Sequence, residues 1–149
     1  MKKILCLMIA LIMVLAFSCL VTAADTIPVY VDGQRVSFDV EPRIINGRTM
    51  VPVRAIFEAL GAKVEWNNDT RTASATKDGF RISLTMDSFL IMIGDSDYIE
   101  MDVTPINIDG RLLVPARFAA EAFSCEVDWL NDVRTVVIES KEYREALAE

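Results

Sequence analysis

The 149-residue chain carries 22 acidic and 15 basic side chains and no histidine. An acidic surface repels polyanions, so we expect no nucleic-acid partner. Without histidine the chain cannot form a Ser-His-Asp or Cys-His catalytic site, and it lacks the usual protein ligand of copper and zinc.

Residues 1–24 have the features of a secretory signal peptide. Lys2 and Lys3 precede an uncharged apolar run at 4–21, and small residues follow it. This pattern is typical of a Sec-type signal that is cleaved on export, so we expect a secreted or cell-envelope-associated mature chain from about residue 25. The apolar run approaches the ~20 residues that span a bilayer, so an uncleaved N-terminal membrane anchor is the alternative.

The mature chain begins with a predicted β-hairpin over residues 27–40. Two alternating apolar runs flank Asp32-Gly33, and an Asp-Gly pair is a strong signal for a two-residue turn. A second turn is predicted at Asn46-Gly47.

A short amphipathic helix is predicted after Pro52, because proline suits the first turn of a helix. The apolar positions of one helix face are Val53, Ile56, Phe57 and Leu60. Gly61 is the predicted C-cap. Arg54 and Glu58 have the i, i+4 spacing of an ion pair, and Arg71 could reach the same carboxylate; we interpret these residues as structural rather than ligand-binding.

A further hairpin follows the helix, with Trp66 before the turn at 67–70 and a strand after it. Period-two alternation places Trp66 on the same face as Val64, which favours packing in the core over a role as a sugar-stacking platform. Another strand is predicted over 80–86. Hairpins on either side of a short helix indicate an α+β fold with an antiparallel sheet packed on the helix.

The same pattern recurs at a constant offset of 63 residues, so that 45–77 and 108–140 align without a gap. We call these the first and second copies. The matched pairs that we interpret as a structural motif are Pro52 and Pro115, Arg54 and Arg117, Glu58 and Glu121, Trp66 and Trp129, and Arg71 and Arg134. We expect two tandem units, about 27–88 and 90–140, within one domain over 25–140.

Two details of the second copy and the C-terminal tail carry expectations of their own. Ser124 replaces the capping Gly61, which leaves the end of the second helix without its usual residue. Cys125, the only cysteine outside the signal segment, aligns with Ala62, so we expect a small buried side chain and no intramolecular disulfide. The tail at 141–149 favours a helix that is too short to be stable alone, so we expect it to fray or dock weakly.

No metal or cofactor site is predicted. The densest carboxylates are Asp95, Asp97, Glu100 and Asp102. They lack the spacing of a calcium loop and are better explained as the solvated face of a hairpin. The hairpin turns are the candidate binding turns, with the residues Asp32, Asn67, Asn68, Asp69, Asp95 and Asp97.

The segments VPVRAIFEALGAKVEW and LLVPARFAAEAFSCEVDW resemble the copper amine oxidase N-terminal-like domain, a module of exported bacterial proteins, and the resemblance covers about 27–140. It implies a non-catalytic, stalk-type α+β module in which a twisted antiparallel sheet wraps a helix. The copper histidines and the modified tyrosine of the oxidase belong to a separate large domain, so the resemblance implies no copper and no enzyme activity here.

We therefore expect an exported, non-catalytic binding or scaffold module that acts at the cell envelope through contacts with protein or glycan. The membrane is a partner only if the signal is uncleaved. The alternative is a carboxylate-dependent hydrolase or a calcium-dependent enzyme accessory subunit.

Overall fold

The computed structural model describes residues 26–149, and the predicted signal peptide lies outside the described residues. These residues form a mostly β structure with three short α-helices, which is an α+β fold. The strands are β1 (Val29–Val31), β2 (Gln34–Arg35), β3 (Arg43–Ile45), β4 (Arg48–Pro52), β5 (Lys63–Asn67), β6 (Thr72–Lys77), β7 (Phe80–Thr85), β8 (Leu90–Ile93), β9 (Asp97–Glu100), β10 (Ile106–Ile108), β11 (Arg111–Pro115), β12 (Glu126–Leu130) and β13 (Thr135–Glu139). The helices are α1 (Val53–Ala59), α2 (Ala116–Glu121) and α3 (Lys141–Leu147).

The strands form three sheets. The mixed sheet has the order β12-β13-β1-β2, the linking sheet β10-β11-β4-β3, and the five-stranded sheet β5-β6-β7-β8-β9. Neighbouring strands are antiparallel, as predicted, except that β1 runs parallel to β13, with Val29 opposite Val136 and Val31 opposite Ile138. These four side chains are buried, so the parallel pair is part of the core.

The linking sheet joins the two copies. Strands β4 and β11 pair antiparallel, with Val51 opposite Val114 and Met50 opposite Pro115. Since 51 and 114 are equivalent positions, the register relates the two hairpins by a local two-fold axis through this pair. Both valines are fully buried, so the axis passes through the core.

Two ion pairs across the linking sheet are also reciprocal. The Arg48 guanidinium binds Asp102, with its Nε 3.0 Å from both carboxylate oxygens. The Arg111 Nε lies 2.6 Å from Oδ2 of Asp39. The two pairs are equivalent, because Arg111 lies 63 residues after Arg48 and Asp102 lies 63 residues after Asp39. The hydrogen bonds from the arginines lower the pKa of both carboxyls below the usual value of 3.8.

The core forms around α1 and α2. The predicted apolar face of α1 is buried, and its Phe57 meets Phe123 edge to face, with ring centroids 4.9 Å apart at 72°. The predicted hairpin turn at Asp32-Gly33 is also present, with φ of 48° and 75°. Local sequence signals thus describe these elements correctly.

The two helix ends have the same geometry despite their different residues. Gly61 has φ of 85°, and the amide of Ala62 donates to the Phe57 carbonyl at 2.9 Å. Ser124 has φ of 55°, and the amide of Cys125 donates to the Ala120 carbonyl at 3.0 Å. The second helix is therefore capped in the same way, but by a residue in a left-handed conformation that favours glycine.

Cys125 is buried, as predicted, with 7% of its surface exposed. Its thiol donates to the Phe123 carbonyl at 3.5 Å. Burial raises the pKa of the thiol to about 11, so it is protonated at neutral pH.

The tail docks through specific contacts, where the sequence predicts fraying or weak docking. The backbone amide and hydroxyl of Ser140 donate to the two oxygens of Asp32 at 2.7 and 2.8 Å. The same hydroxyl accepts from the Tyr143 amide at 3.2 Å and so caps α3. Arg144 pairs with Glu126 on β12. A helix of this length is too short to be stable alone, so these contacts with residues distant in sequence hold it in place.

We expect Ser124→Gly to raise the free energy of unfolding by about 0.5–1 kcal/mol. The left-handed conformation costs a non-glycine residue about 1–2 kcal/mol, and the greater chain entropy of glycine offsets part of the gain. The matched change Gly61→Ser should lower stability by a similar amount. Urea denaturation measures both, and two unchanged midpoints would contradict this account of the helix ends.

We expect Ser140→Ala to lower the free energy of unfolding by about 1–2 kcal/mol, since it removes a helix cap and a hydrogen bond to a carboxylate. The amides of α3 should also exchange faster with deuterium. Lys141→Ala is the control, because its exposed pair with Glu145 contributes at most ~0.5 kcal/mol. Unchanged protection of α3 in Ser140→Ala would show that other contacts hold it.

We expect the stability of the protein to fall as the pH is lowered through the range in which Asp39 and Asp102 take up protons. Their lowered pKa values mean that the unfolded chain binds protons first, so their contribution is present above about pH 5 and is lost below it. The double variant Asp39→Asn, Asp102→Asn should show a shallower loss of melting temperature between about pH 5 and 3. Parallel curves for the two proteins would rule out this origin of the acid dependence.

Candidate functional site

Two grooves on the surface are the candidate site. The first, which we call the Trp66 groove, has a volume of about 600 Å³. It opens between the start of α1, with Pro52 and Arg54, strand β5, with Trp66, and the β10–β11 hairpin, with Arg111 and Leu112. The groove therefore takes its walls from both copies.

The second, the Trp129 groove, has a volume of about 640 Å³. It opens between the start of α2, with Pro115 and Arg117, strand β12, with Trp129, and the β3–β4 hairpin, with Arg48 and Thr49. Each of these residues is the equivalent, 63 positions away, of one that lines the first groove. The local two-fold axis of the linking sheet explains why the grooves come as a pair.

The two tryptophans lie at the rim of the core, so the prediction that they pack inside it is wrong. Trp66 is 37% exposed and Trp129 is 36% exposed. The predicted face is correct, since Trp66 pairs across the sheet with the buried Ala73. However, β5 and β12 are both edge strands, and an edge strand leaves one side of a large ring uncovered.

Both indole rings are fixed by the same hydrogen bond. Nε1 of Trp66 donates to Oδ1 of Asn68 at 2.7 Å, and Nε1 of Trp129 donates to Oδ1 of Asn131 at the same distance. Since the N–H is already paired, what each ring offers to a ligand is its apolar, electron-rich ring system.

The ion pairs predicted within the helices are absent. Among residues 26–149, no ion pair joins Arg54 to Glu58 or Arg117 to Glu121. Arg54 and Arg117 are exposed and line the two grooves instead. The gain expected from such a pair is small, about 0.3–0.5 kcal/mol, so it does not fix the side chains.

Arg71 also lines the Trp66 groove, but it does not reach Glu58. Its Nη1 donates to Asp87 at 2.9 Å, and its Nη2 lies 3.6 Å from the Met86 sulfur. Its backbone is left-handed, with φ of 53°, and the equivalent Arg134 has φ of 47°. The two arginines thus end their turns in the same conformation.

The turn after β5 is organised by its own side chains. Asn67 Oδ1 accepts from the amides of Asp69 and Thr70 at 2.9 and 3.1 Å, and Asn68 holds the indole of Trp66. These asparagines therefore shape the Trp66 groove, while Asp69 is exposed.

The other predicted binding turns are not brought to this site. Asp32 uses both carboxylate oxygens to bind Ser140, so it holds the tail. Asp95 and Asp97 are exposed at the turn between β8 and β9. That turn lies at the opposite edge and the opposite end of the five-stranded sheet from the turn after β5.

The carboxylates at 95–102 do not converge. Residues 26–149 contain no group of three or more Asp, Glu or Cys side chains placed to share a metal ion. Asp102 is instead bonded to Arg48. None of the helices in this part of the chain is long and apolar enough to cross a membrane.

Comparison with known proteins places the chain in a family. The model of the family described as "Copper amine oxidase N-terminal domain" matches residues 30–138. In that family the N-terminal domain is a non-catalytic accessory module. A protein of Brevibacillus choshinensis named "Protease inhibitor" is 29% identical over 97 residues, which cover 62% of this chain and 28% of the relative. The chain belongs to the copper amine oxidase N-terminal domain family.

Proposed function

We propose that the chain is an exported, non-catalytic binding or scaffold module that acts at the cell envelope through contacts with protein or glycan. The observation that carries this proposal is the pair of grooves, each with an exposed and fixed indole ring. Membership of a family in which this domain is a non-catalytic accessory module supports the same conclusion.

The grooves have the properties of ligand sites. Their volumes lie within the roughly 300–1,000 Å³ of small-molecule and cofactor sites. A tryptophan that is fixed by Asn68 or Asn131 loses little conformational freedom on binding. Trp and Arg are also the side chains that contribute most to binding interfaces, and each groove has both.

We further propose that the fold is built from two tandem units, about 27–88 and 90–140, which form one domain. The register of β4 with β11, the reciprocal ion pairs and the equivalent grooves support this organisation. A module with two related grooves can engage a repetitive ligand at two points, and the second contact is then intramolecular. An envelope polymer or protein lattice offers such repetition.

Export rests on the sequence of residues 1–24. We propose that this segment is a cleaved Sec-type signal, since Lys2 and Lys3 precede an apolar run that ends in small residues. The intact mass of the exported protein tests this directly. The mass of a chain that begins near residue 25 would support cleavage and release, whereas the mass of the full-length chain would support the N-terminal anchor.

Binding to isolated cell walls tests the main proposal. We expect the chain from residue 25 onward to co-sediment with walls, and the double variant Trp66→Ala, Trp129→Ala to bind about 30-fold more weakly or worse, since each of the two truncations removes a contact of ~1 kcal/mol or more. Tyr98→Ala is the matched control, because Tyr98 is 60% exposed but lies outside both grooves. Calcium should have no effect.

Two outcomes would count against this proposal. Equal binding by the double tryptophan variant and the wild type would show that the grooves do not bind the wall. Cleavage of wall material by the purified protein would support the hydrolase alternative.

The name of the Brevibacillus choshinensis relative favours a second candidate, inhibition of a protease. The match covers 28% of that relative, so its name does not locate inhibition in the shared segment. Steady-state assays against serine and cysteine proteases distinguish the candidates. Inhibition at stoichiometric concentration that is lost with either tryptophan would place a protease, rather than a wall component, in the grooves.

A further inference from the structure

We infer that the Trp66 groove binds a peptide segment with a carboxylate and an apolar side chain, and that Arg54 binds the carboxylate. This inference rests on the proposed binding function of the grooves, and it adds the chemical class of the ligand. It also distinguishes the two grooves, which are equivalent in backbone but not in charge.

Two of the three arginines in the Trp66 groove are already paired. Arg111 binds Asp39 with its Nε, and its Nη1 donates to the Gly110 carbonyl at 3.3 Å. Arg71 binds Asp87 at 2.9 Å. These guanidinium groups therefore have acceptors within the protein, and they add little attraction for a ligand.

The remaining arginine has no such partner. Glu65 is the acidic side chain that lines the groove, and it pairs with Lys63 at 2.7 Å. Arg54 is exposed, and within residues 26–149 it forms no ion pair. The groove thus has one uncompensated charge, which is positive and lies among the residues that surround the indole face of Trp66. A planar guanidinium matches a carboxylate with two parallel hydrogen bonds.

The Trp129 groove is balanced instead. Its Arg117 is the equivalent of Arg54, and its Asp102 is already paired with Arg48, which lines the same groove. A second acidic side chain, Asp128, is the equivalent of Glu65, but it forms no ion pair within residues 26–149, so its negative charge offsets the positive charge of Arg117. An anionic ligand would meet these carboxylates, so we expect the preference for a carboxylate only in the Trp66 groove.

The lining of the Trp66 groove favours a peptide over a glycan. Sugar hydroxyls require many free polar partners, because each hydroxyl that loses water without a new hydrogen bond costs free energy. Polar groups here are largely used: Nε1 of Trp66 binds Asn68, and Asn107 Oδ1 accepts from the Gly110 amide at 3.1 Å. The other lining side chains are mostly apolar, with Val64 and Met86 partly exposed over the buried Pro52, Val53 and Leu112.

A synthetic hexapeptide library tests the inference. Acetylated N-termini and amidated C-termini leave side chains as the only source of negative charge. We expect selection on the chain from residue 25 onward to enrich one Asp or Glu beside apolar residues. Fluorescence titration of Trp66, in a Trp129→Phe background, should then show that the selected peptide binds about 10- to 100-fold more tightly than its Asn or Gln analogue.

Two variants locate the effect. Arg54→Gln should remove the preference for the acidic peptide, and the matched change Arg117→Gln should leave it intact. The inference is overturned if no acidic residue is enriched, if the preference survives Arg54→Gln, or if Arg117→Gln removes it instead. An Arg54-dependent response to oligogalacturonate, without acidic peptide binding, would overturn it in favour of an acidic glycan.

Failure of this inference is distinguishable from failure of the proposed function. Wall binding that depends on Trp66 but not on Arg54 would contradict this inference. The proposed binding function would still stand. Arg54-dependent peptide binding by a chain that does not bind cell walls would support this inference and contradict the proposed function at the cell envelope.

Discussion

The antiparallel pairing of β4 with β11 is the constraint on which the rest of the structure depends. Because its register centres on Val51 and Val114, every element attached to one strand has a counterpart placed by the same rotation. The β10–β11 hairpin therefore lies beside the start of α1, and the β3–β4 hairpin lies beside the start of α2. Neither groove is therefore complete within one copy, and a one-residue slip of this register would displace both at once.

The shared frame leaves the side chains of the two grooves free to differ. Gly61 and Ser124 adopt the same left-handed helix end, and the two indoles make the same hydrogen bond to an asparagine two residues further along the chain. The residues that line the two grooves keep this equivalence less strictly, and their charges differ. The two copies thus share a backbone arrangement, while the charges in their grooves differ.

Local signals predicted the local features of this fold. The turn at Asp32-Gly33 and the end of α1 at Gly61 depend on residues a few positions apart, so the sequence identifies them. The parallel pairing of β1 with β13 and the grooves depend on contacts across most of the chain, which no short pattern encodes. Trp66 shows the boundary: alternation predicts its face, but not that β5 is an edge strand.

The parallel pair also bears on the timing of folding. Strand β1 is the first strand of residues 26–149, whereas its partner β13 is the last. Until β13 arrives, β1 has only the two-residue strand β2 beside it, which is too little to hold a stable sheet. The mixed sheet therefore closes only after β13 is available, whereas the five-stranded sheet pairs strands that follow one another in sequence and does not have to wait for it.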